Sequence, residues 1–217
     1  EKKLAEMTND LPKDTPRFYS LGRKERAQKQ VEFYRSNGYA PVRYFFEMIR
    51  PIEKPLGDHP LPQGLELRDV KPEHYRAIWE GDHEAFQDHW GYSEPTEEQY
   101  EAWLTDRLFQ PHLWKVAWDG DQVAGMVGNF LDAKENEEFN RKRGYTEDIW
   151  VRRPWRGRGL AKALIAESIR MFKDMGMEET CLGVDGENRT GALRLYTSMG
   201  YEQDERQTHV VMRKKLN

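Results

Sequence analysis

With 217 residues, 37% of them apolar, and seven Trp, ten Tyr and nine Phe, the chain has the material for a sizeable core and is not a disordered polymer. Charged residues make up 33%, yet the formal net charge is only −4, which excludes wholesale nucleic-acid binding and makes any basic function local. The lone cysteine, Cys181, precludes an intramolecular disulfide framework, and no apolar run reaches the ~20 residues of a membrane span.

The opening "EKKLAEMTNDLPKD" is polar, aperiodic and unlike a signal peptide, so the expectation is a cytoplasmic protein. "RFYSLG" (17–22) predicts a strand. A helix over 24–38 follows, with Ala27, Val31 and Tyr34 at helical spacing and Gly38 as its stop. "YAPVRYFFEMIRPI" predicts a second strand, and the segment after it, rich in Pro and Gly, reads as a linker. Beyond the linker, 65–70 predicts a strand. Residues 71–86 and 96–109 predict helices, the second with Thr96 as N-cap. Residues 114–132 predict a hairpin around "DGDQ" and 133–144 a charged loop. The strand expected over 145–151 leads into a helix over 159–176, whose apolar face runs through Leu160, Leu164, Ile165, Ile169 and Phe172. A strand over 178–185, a helix over 188–200 and a final hairpin or strand pair over 201–216 complete a mixed α/β pattern.

Residues 31–50 echo residues 193–213. Each copy has a Tyr at the helix end (Tyr34, Tyr196), a Gly-Tyr exit and a strand closing on Met and Arg. The first copy ends at the linker as the second ends near the C-terminus, so residues 1–52 read as the tail of an earlier repeat, 53–63 as linker and 64–217 as a complete domain.

The stretch "VRRPWRGRGLAKAL" (151–164) puts two glycines and four arginines between a strand and a helix. Backbone N–H groups at a helix N-terminus attract anions, as does the helix dipole. Gly157 and Gly159 allow close approach, Ala161 keeps the first turn open, and Arg156 and Arg158 add cations at the rim, which suits a diphosphate. No Gly-Lys-Ser/Thr and no three-glycine dinucleotide fingerprint is present.

The motif Arg156-Gly157-Arg158-Gly159-Leu160-Ala161 resembles the pyrophosphate turn of the GNAT acyltransferases. "EDIWV" before it resembles that family's fourth strand, and "VDGENRTGALRLYTSMGYE" its second signature, with Asn188, Ala192 and Tyr196. The resemblance covers about residues 64–217. It is most specific to the C-terminal half of tandem GNAT proteins such as mycothiol synthase, which would account for the half-repeat over 1–52.

The resemblance implies a central, mostly antiparallel twisted sheet flanked by helices. It also implies acetyl-CoA as co-substrate, no metal, and acetyl transfer to a primary amine of a small molecule. Ile149, Trp150 and Val151 would line the pantetheine arm, with a main-chain N–H at or beside Val151 polarising the thioester carbonyl. Tyr196 is the candidate general acid and Glu147 the candidate base. In an unbroken strand Glu147 shares a face with Tyr145, Ile149 and Val151, with Asp148 on the opposite one. Each carries a structural alternative: Tyr196 as a packed helix end, Glu147 as a solvated carboxylate and Asn188 as a helix N-cap. His89, Trp90 and Tyr145 are candidate acceptor contacts. His83 and His89, six residues apart, lie on different helix faces and do not suggest a metal site, and Cys181 reads as inert core. A non-catalytic acyl-CoA-binding or regulatory module is the competing reading. No nucleic-acid or membrane partner is expected, and the chain reads as a monomer or homodimer.

Overall fold

A computed structural model describes residues 1, 3, 16–188 and 191–216. In chain order its elements are β1 (Phe18–Lys24), α1 (Gln28–Ser36), β2 (Ala40–Pro51), β3 (Glu66–Leu67), α2 (Tyr75–Phe86), α3 (Glu97–Leu104), β4 (Lys115–Asp119) and β5 (Gln122–Phe130). They continue with α4 (Ala133–Glu138), β6 (Arg143–Val151), α5 (Leu160–Asp174), β7 (Glu179–Asp185), α6 (Ala192–Ser198), β8 (Glu202–Gln203) and β9 (His209–Lys215). This is the expected mixed α/β fold, with a largely antiparallel, twisted sheet flanked by helices. No helix among the described residues is long and apolar enough to cross a membrane.

The chain divides into two compact units, each assembled from distant segments. The smaller comprises Glu1–Met48, Gly183–Leu193 and Gln203–Asn217. Here β9 runs antiparallel between β1 and β2, with Ser20 opposite Arg213 and Tyr44 opposite Val210. Helix α1 contributes Val31 to a small core with Tyr39, Val210 and Met212.

The larger unit comprises Ile49–Leu182 and Arg194–Glu202. Its strands lie in the order β7-β6-β5-β4-β3, antiparallel except for the parallel pair β6–β7. One face of β5 and β6 packs on α2, where Ile78 and Ala85 meet Met126, Trp150 and the Trp114–Trp118 region. Gly81 makes that approach possible, since a Cβ there would stand 2.8 Å from the Trp150 ring. The other face meets α5, where the buried Asn129 amide donates to Ser168 Oγ at 2.9 Å. Leu160, Leu164, Ile165, Ile169 and Phe172 of α5 are all buried, as their spacing predicts. Each such side chain stabilises the fold by about 1.5–3 kcal/mol before entropy is counted.

Several elements differ from the sequence expectation. Residues 133–144 are not a continuous loop. Asp132 caps a short helix, α4, by accepting from the Glu135 N–H at 3.2 Å, and β6 starts at Arg143. The strand expected over 65–70 shrinks to Glu66–Leu67, paired with Trp118 and Ala117 of β4, and a last bond from the Arg68 N–H to Val116 O at 3.3 Å ends the contact. The helix expected over 96–109 stops at Leu104, where Thr105 Oγ1 turns back onto the carbonyls of Glu101 and Ala102. The C-terminal segment holds two strands, as expected, but not as a hairpin: short β8 pairs with β2, and β9 pairs with β1 and β2. The expected helix over 188–200 begins at Ala192 (Arg189 and Thr190 lie outside the described residues, as does most of the lead-in over 1–14).

Candidate active site

The turn from β6 into α5 has the features an anion requires. Gly157 and Gly159 adopt φ of 74° and 87°, in the left-handed region, and nothing lies within 4 Å of a Cβ built on either. Gly159 is the N-cap of the 15-residue helix α5, with no side-chain cap and no acidic residue in the first turn. The six successive N–H groups from Gly157 to Lys162 find no acceptor among the described residues. Gly157 to Gly159 are exposed, so this row of N–H groups opens to the outside at a helix N-terminus, a surface suited to an anion. A diphosphate fits this surface, because its oxygens would meet N–H donors with no side chain in the way.

The four arginines have partners that the sequence does not reveal. Arg152 pairs with Glu84 at 2.7 Å and Arg153 with Asp88 at 2.7 Å, which ties the turn to α2 and the segment after it. Arg156 donates to the carbonyls of Val151 at 2.9 Å and Ala85 at 3.1 Å, and Arg158 to Gln63 O at 2.9 Å. Arg156 thus braces the strand end against α2, and Arg158 reaches back to the linker; neither stands as a loose cation at the rim. Trp155, buried below the turn, donates its indole N–H to Asp119 at 2.9 Å.

Strand β6 leads into this turn and is open along one edge. Its parallel pairing with β7 covers only Arg143–Tyr145 against Glu179–Cys181, after which the strands part. Tyr201 marks the fork: its buried hydroxyl lies 3.1 Å from Thr146 Oγ1 and accepts from Thr180 Oγ1 at 2.9 Å. On the opposite edge the Arg152 N–H donates to Ala124 O at 3.0 Å. Strand alternation then aims the Val151 N–H away from β5, into the open side. The Trp150 and Leu160 side chains are core, so of these two residues only the backbone is available to a ligand; Ile149 and Val151 are half-buried.

A bulge corrects the predicted face of Glu147. Trp150 opposes Met126 and Glu147 opposes Gly128, so β6 carries one residue more than β5 between these pairs. Asp148 takes up the excess with φ of 46°. Glu147 therefore does not share a face with Val151, which opposes Gly125; it keeps Tyr145, which opposes Phe130 and stacks on it at 4.8 Å. The bulge also swings Asp148 across Gly128, whose built Cβ would stand 3.3 Å from the Asp148 Cβ.

Asp148 has a counterpart on α2, Asp82, and sequence reading missed both. Burial pushes the Asp148 carboxyl above the usual carboxylate range; Asp82 is raised well above it, by burial first and by the Asp148 charge second. By surface area Asp148 is exposed and Asp82 half-buried, so neither belongs to the core. Beside them His83 packs edge-on against Trp79 at 4.2 Å. Its Nε2 is buried without a partner, and burial lowers its pKa. A spacing of 66 residues hides the Asp pair from sequence, and only the bulge brings it together.

Tyr196, on α6, is 7% exposed, and burial followed by the Glu147 charge raises its phenol above the ordinary tyrosine range. It is therefore protonated at neutral pH, and its hydroxyl has no hydrogen-bond partner among the described residues. The structure thus brings Tyr196 and Glu147 together. Asn188 and Ala192 belong to the smaller unit, where the Ala192 N–H reaches Asn188 Oδ1 at 3.5 Å, a weak contact in the manner of a helix cap. His89 packs on Phe86 at 4.4 Å, and Trp90 is 36% exposed in the segment after α2. The Tyr145 hydroxyl is already engaged, donating to Glu135 and accepting from Arg141 at 2.8 Å.

An unblocked anion turn after a strand, a strand pair that parts beside it and a buried phenol nearby define an acyltransferase domain of the GNAT type. The acetyltransferase (GNAT) family matches residues 75–201, and the chain belongs to that family. A mycothiol acetyltransferase of Thermobispora bispora is 28% identical over 173 residues, 76% of this chain and 55% of its own length. The GCN5-related N-acetyltransferase of Sphaerobacter thermophilus superposes with a TM-score of 0.76 at 27% identity, covering 99% of this chain and 64% of that one. A tandem GNAT protein from the clavulanic acid biosynthesis pathway shares the fold at a TM-score of 0.63 and 12% identity, over 99% of this chain and 67% of its own. The chain spans about half the length of the curated relatives it matches.

Proposed function

We propose that the protein is an acetyl-CoA-dependent N-acetyltransferase that acts on a primary amine of a small molecule by direct attack. The observation that carries this reading is the row of unpaired N–H groups from Gly157 to Lys162 on a turn opened by two left-handed glycines. Acetyl-CoA would supply the activated acetyl group as a thioester. The turn would hold its diphosphate, and the free edge of β6 at Ile149–Val151 would pair with its pantetheine arm.

The Val151 N–H, aimed into that open side, would donate to the thioester carbonyl as negative charge builds on the oxygen. The amine forms the new C–N bond as the C–S bond breaks. Tyr196, held neutral by burial, gives its proton to the departing thiolate. Glu147 takes the proton released by the attacking nitrogen, directly or through water. Asp82 and Asp148, when ionised, would attract a cationic acceptor, although burial raises both pKa values. His89 and Trp90 border the same cleft-forming helix and would contact the acceptor. Tyr145 would act by fixing α4 in place.

We read residues 1–52 as a partial repeat joined through 53–63 to the complete domain over 64–217. Support comes from the matched helix exits at Tyr34 and Tyr196 and from the tandem relative of the same fold. Calorimetric titration with acetyl-CoA tests the reading: one-to-one binding is expected, lost in Gly159→Glu, which sets a strained side chain and a negative charge on the turn. Equal affinity in both proteins would end the assignment.

A further inference from the structure

Arg50, at the end of β2, is completely buried, yet it meets no carboxylate among the described residues. All its hydrogen bonds go to backbone carbonyls. Nε donates to Met199 at 2.8 Å, Nη1 to Pro51 at 2.8 Å and Ile52 at 3.4 Å, and Nη2 to Lys54 at 2.6 Å and Pro55 at 3.1 Å. Removing a cation from water without a counter-ion is costly, and burial lowers the guanidinium pKa accordingly. Four of these bonds roll residues 51–55 into a strap, and the fifth fastens the strap to the end of α6. Lys54, on the strap, adds a second fastening, donating to Gly200 O at 2.9 Å and to Glu202 at 2.6 Å.

Carbonyls at a helix C-terminus lack partners within the helix and carry its negative dipole end, so two cations satisfy them well. The exit geometry itself does not require them. At the matching exit of α1, Gly38 has φ of 83° and the Tyr39 N–H reaches Tyr34 O at 3.0 Å, as Gly200 has 90° and Tyr201 reaches Tyr196 O at 3.0 Å. No side chain among the described residues donates to the carbonyls of Asn37 or Gly38. Among the described residues the clamp is present at the exit whose tyrosine is buried and without a hydroxyl partner and absent from the other, and it is close-fitting: a Cβ on Gly200 would lie 3.3 Å from Arg50 Nε and 3.2 Å from Lys54 Cδ.

We propose that Arg50, assisted by Lys54, is a positioning residue of the transfer reaction, holding the α6 exit so that the Tyr196 phenol stays fixed at the reacting centre. This rests on the reading of Tyr196 as the acid. Arg50→Lys keeps the charge but can serve at most three of the five carbonyls. It should lower kcat about tenfold with KM for acetyl-CoA unchanged, since small displacements of a catalytic group are enough for that. In a Tyr196→Phe background the same substitution should change nothing further. An equal loss in both backgrounds, or full kcat in folded Arg50→Lys, overturns the proposal.

Tyrosine ring resonances give a second readout independent of turnover. Arg50→Lys should shift those of Tyr196 and leave those of Tyr34 in place, and an unmoved Tyr196 signal would overturn the clamp whatever the enzyme acetylates. If Tyr196→Phe alone retains full kcat, the acid assignment fails while the ring signal still decides the clamp. Should Arg50 variants fail to fold, Lys54→Met releases the Gly200 carbonyl and the exposed Glu202 carboxylate and must show the same dependence on Tyr196, whereas Glu202→Gln must leave kcat unchanged.

Discussion

Tyr34 and Tyr196 close two helices in the same way and stand in different surroundings. Each is followed by a left-handed glycine and a second tyrosine whose N–H returns to its carbonyl, and in each pair the rings meet edge-on, at 5.5 Å in the first and 6.3 Å in the second. Tyr34 is half-buried and its hydroxyl accepts from Arg23 at 2.9 Å; Tyr196 is buried, without a hydroxyl partner among the described residues, and close to the charge of Glu147. No anion turn precedes α1 in the sequence, whereas one lies between β6 and α5 in the unit that holds Tyr196. Local sequence therefore fixes the shape of a helix exit, and distant groups set the burial and charge around its tyrosine.

The sharpest way to break the comparison is to remove each hydroxyl. Tyr196→Phe should lower kcat roughly 10²-fold, the scale of a lost general acid, with KM for acetyl-CoA unchanged, while Tyr34→Phe leaves steady-state acetylation intact. Equal effects would erase the distinction. The two glycines come next. Gly38→Ala should cost about 1 kcal/mol in urea denaturation, for the left-handed backbone alone, because its Cβ would meet only flexible Lys214 carbons at 3.7 and 3.8 Å. Gly200→Ala should cost more, since its Cβ would press on Arg50 and Lys54 at 3.2–3.3 Å, and it should also reduce kcat. Identical costs would mean that the clamp is not tight.

The Asp pair gives a smaller effect, confined to the site. Because folding raises the Asp82 pKa, its ionisation destabilises the folded state above that raised pKa, and the penalty fades as pH falls toward the unfolded value near 4. Asp82→Asn should therefore raise Tm by about 2–4 °C at pH 7–8, with the gain shrinking in acid. A gain that persists at pH 4 would contradict the burial account. The least effect is expected from Tyr34→Phe on stability, about 0.5–1 kcal/mol for one lost hydrogen bond to Arg23.

The turn from β6 into α5 was legible in the sequence because its parts are contiguous: glycines, a strand before and an apolar helix after are all local signals. The face of Glu147 was not, because alternation carries no sign of the extra residue that Asp148 absorbs, and one inserted residue reverses a strand's faces. The partners of the arginines were equally hidden, since Glu84 and Asp88 lie on a distant helix and the segment after it. Helix α4 escaped notice because "AKENEE" has no apolar stripe and is started by the Asp132 cap. Arg50 looked like the end of an ordinary strand, and only the folded chain brings the Met199 carbonyl to it.

The most direct test of the account is amide hydrogen exchange, read residue by residue, with and without acetyl-CoA. The N–H groups of Gly157 to Lys162 should gain strong protection on binding, with the Val151 N–H, while the turn around Gly38 stays as it was. Saturating acetyl-CoA that leaves those six amides exchanging at their free rates would show that the turn is not where the cofactor's phosphates rest.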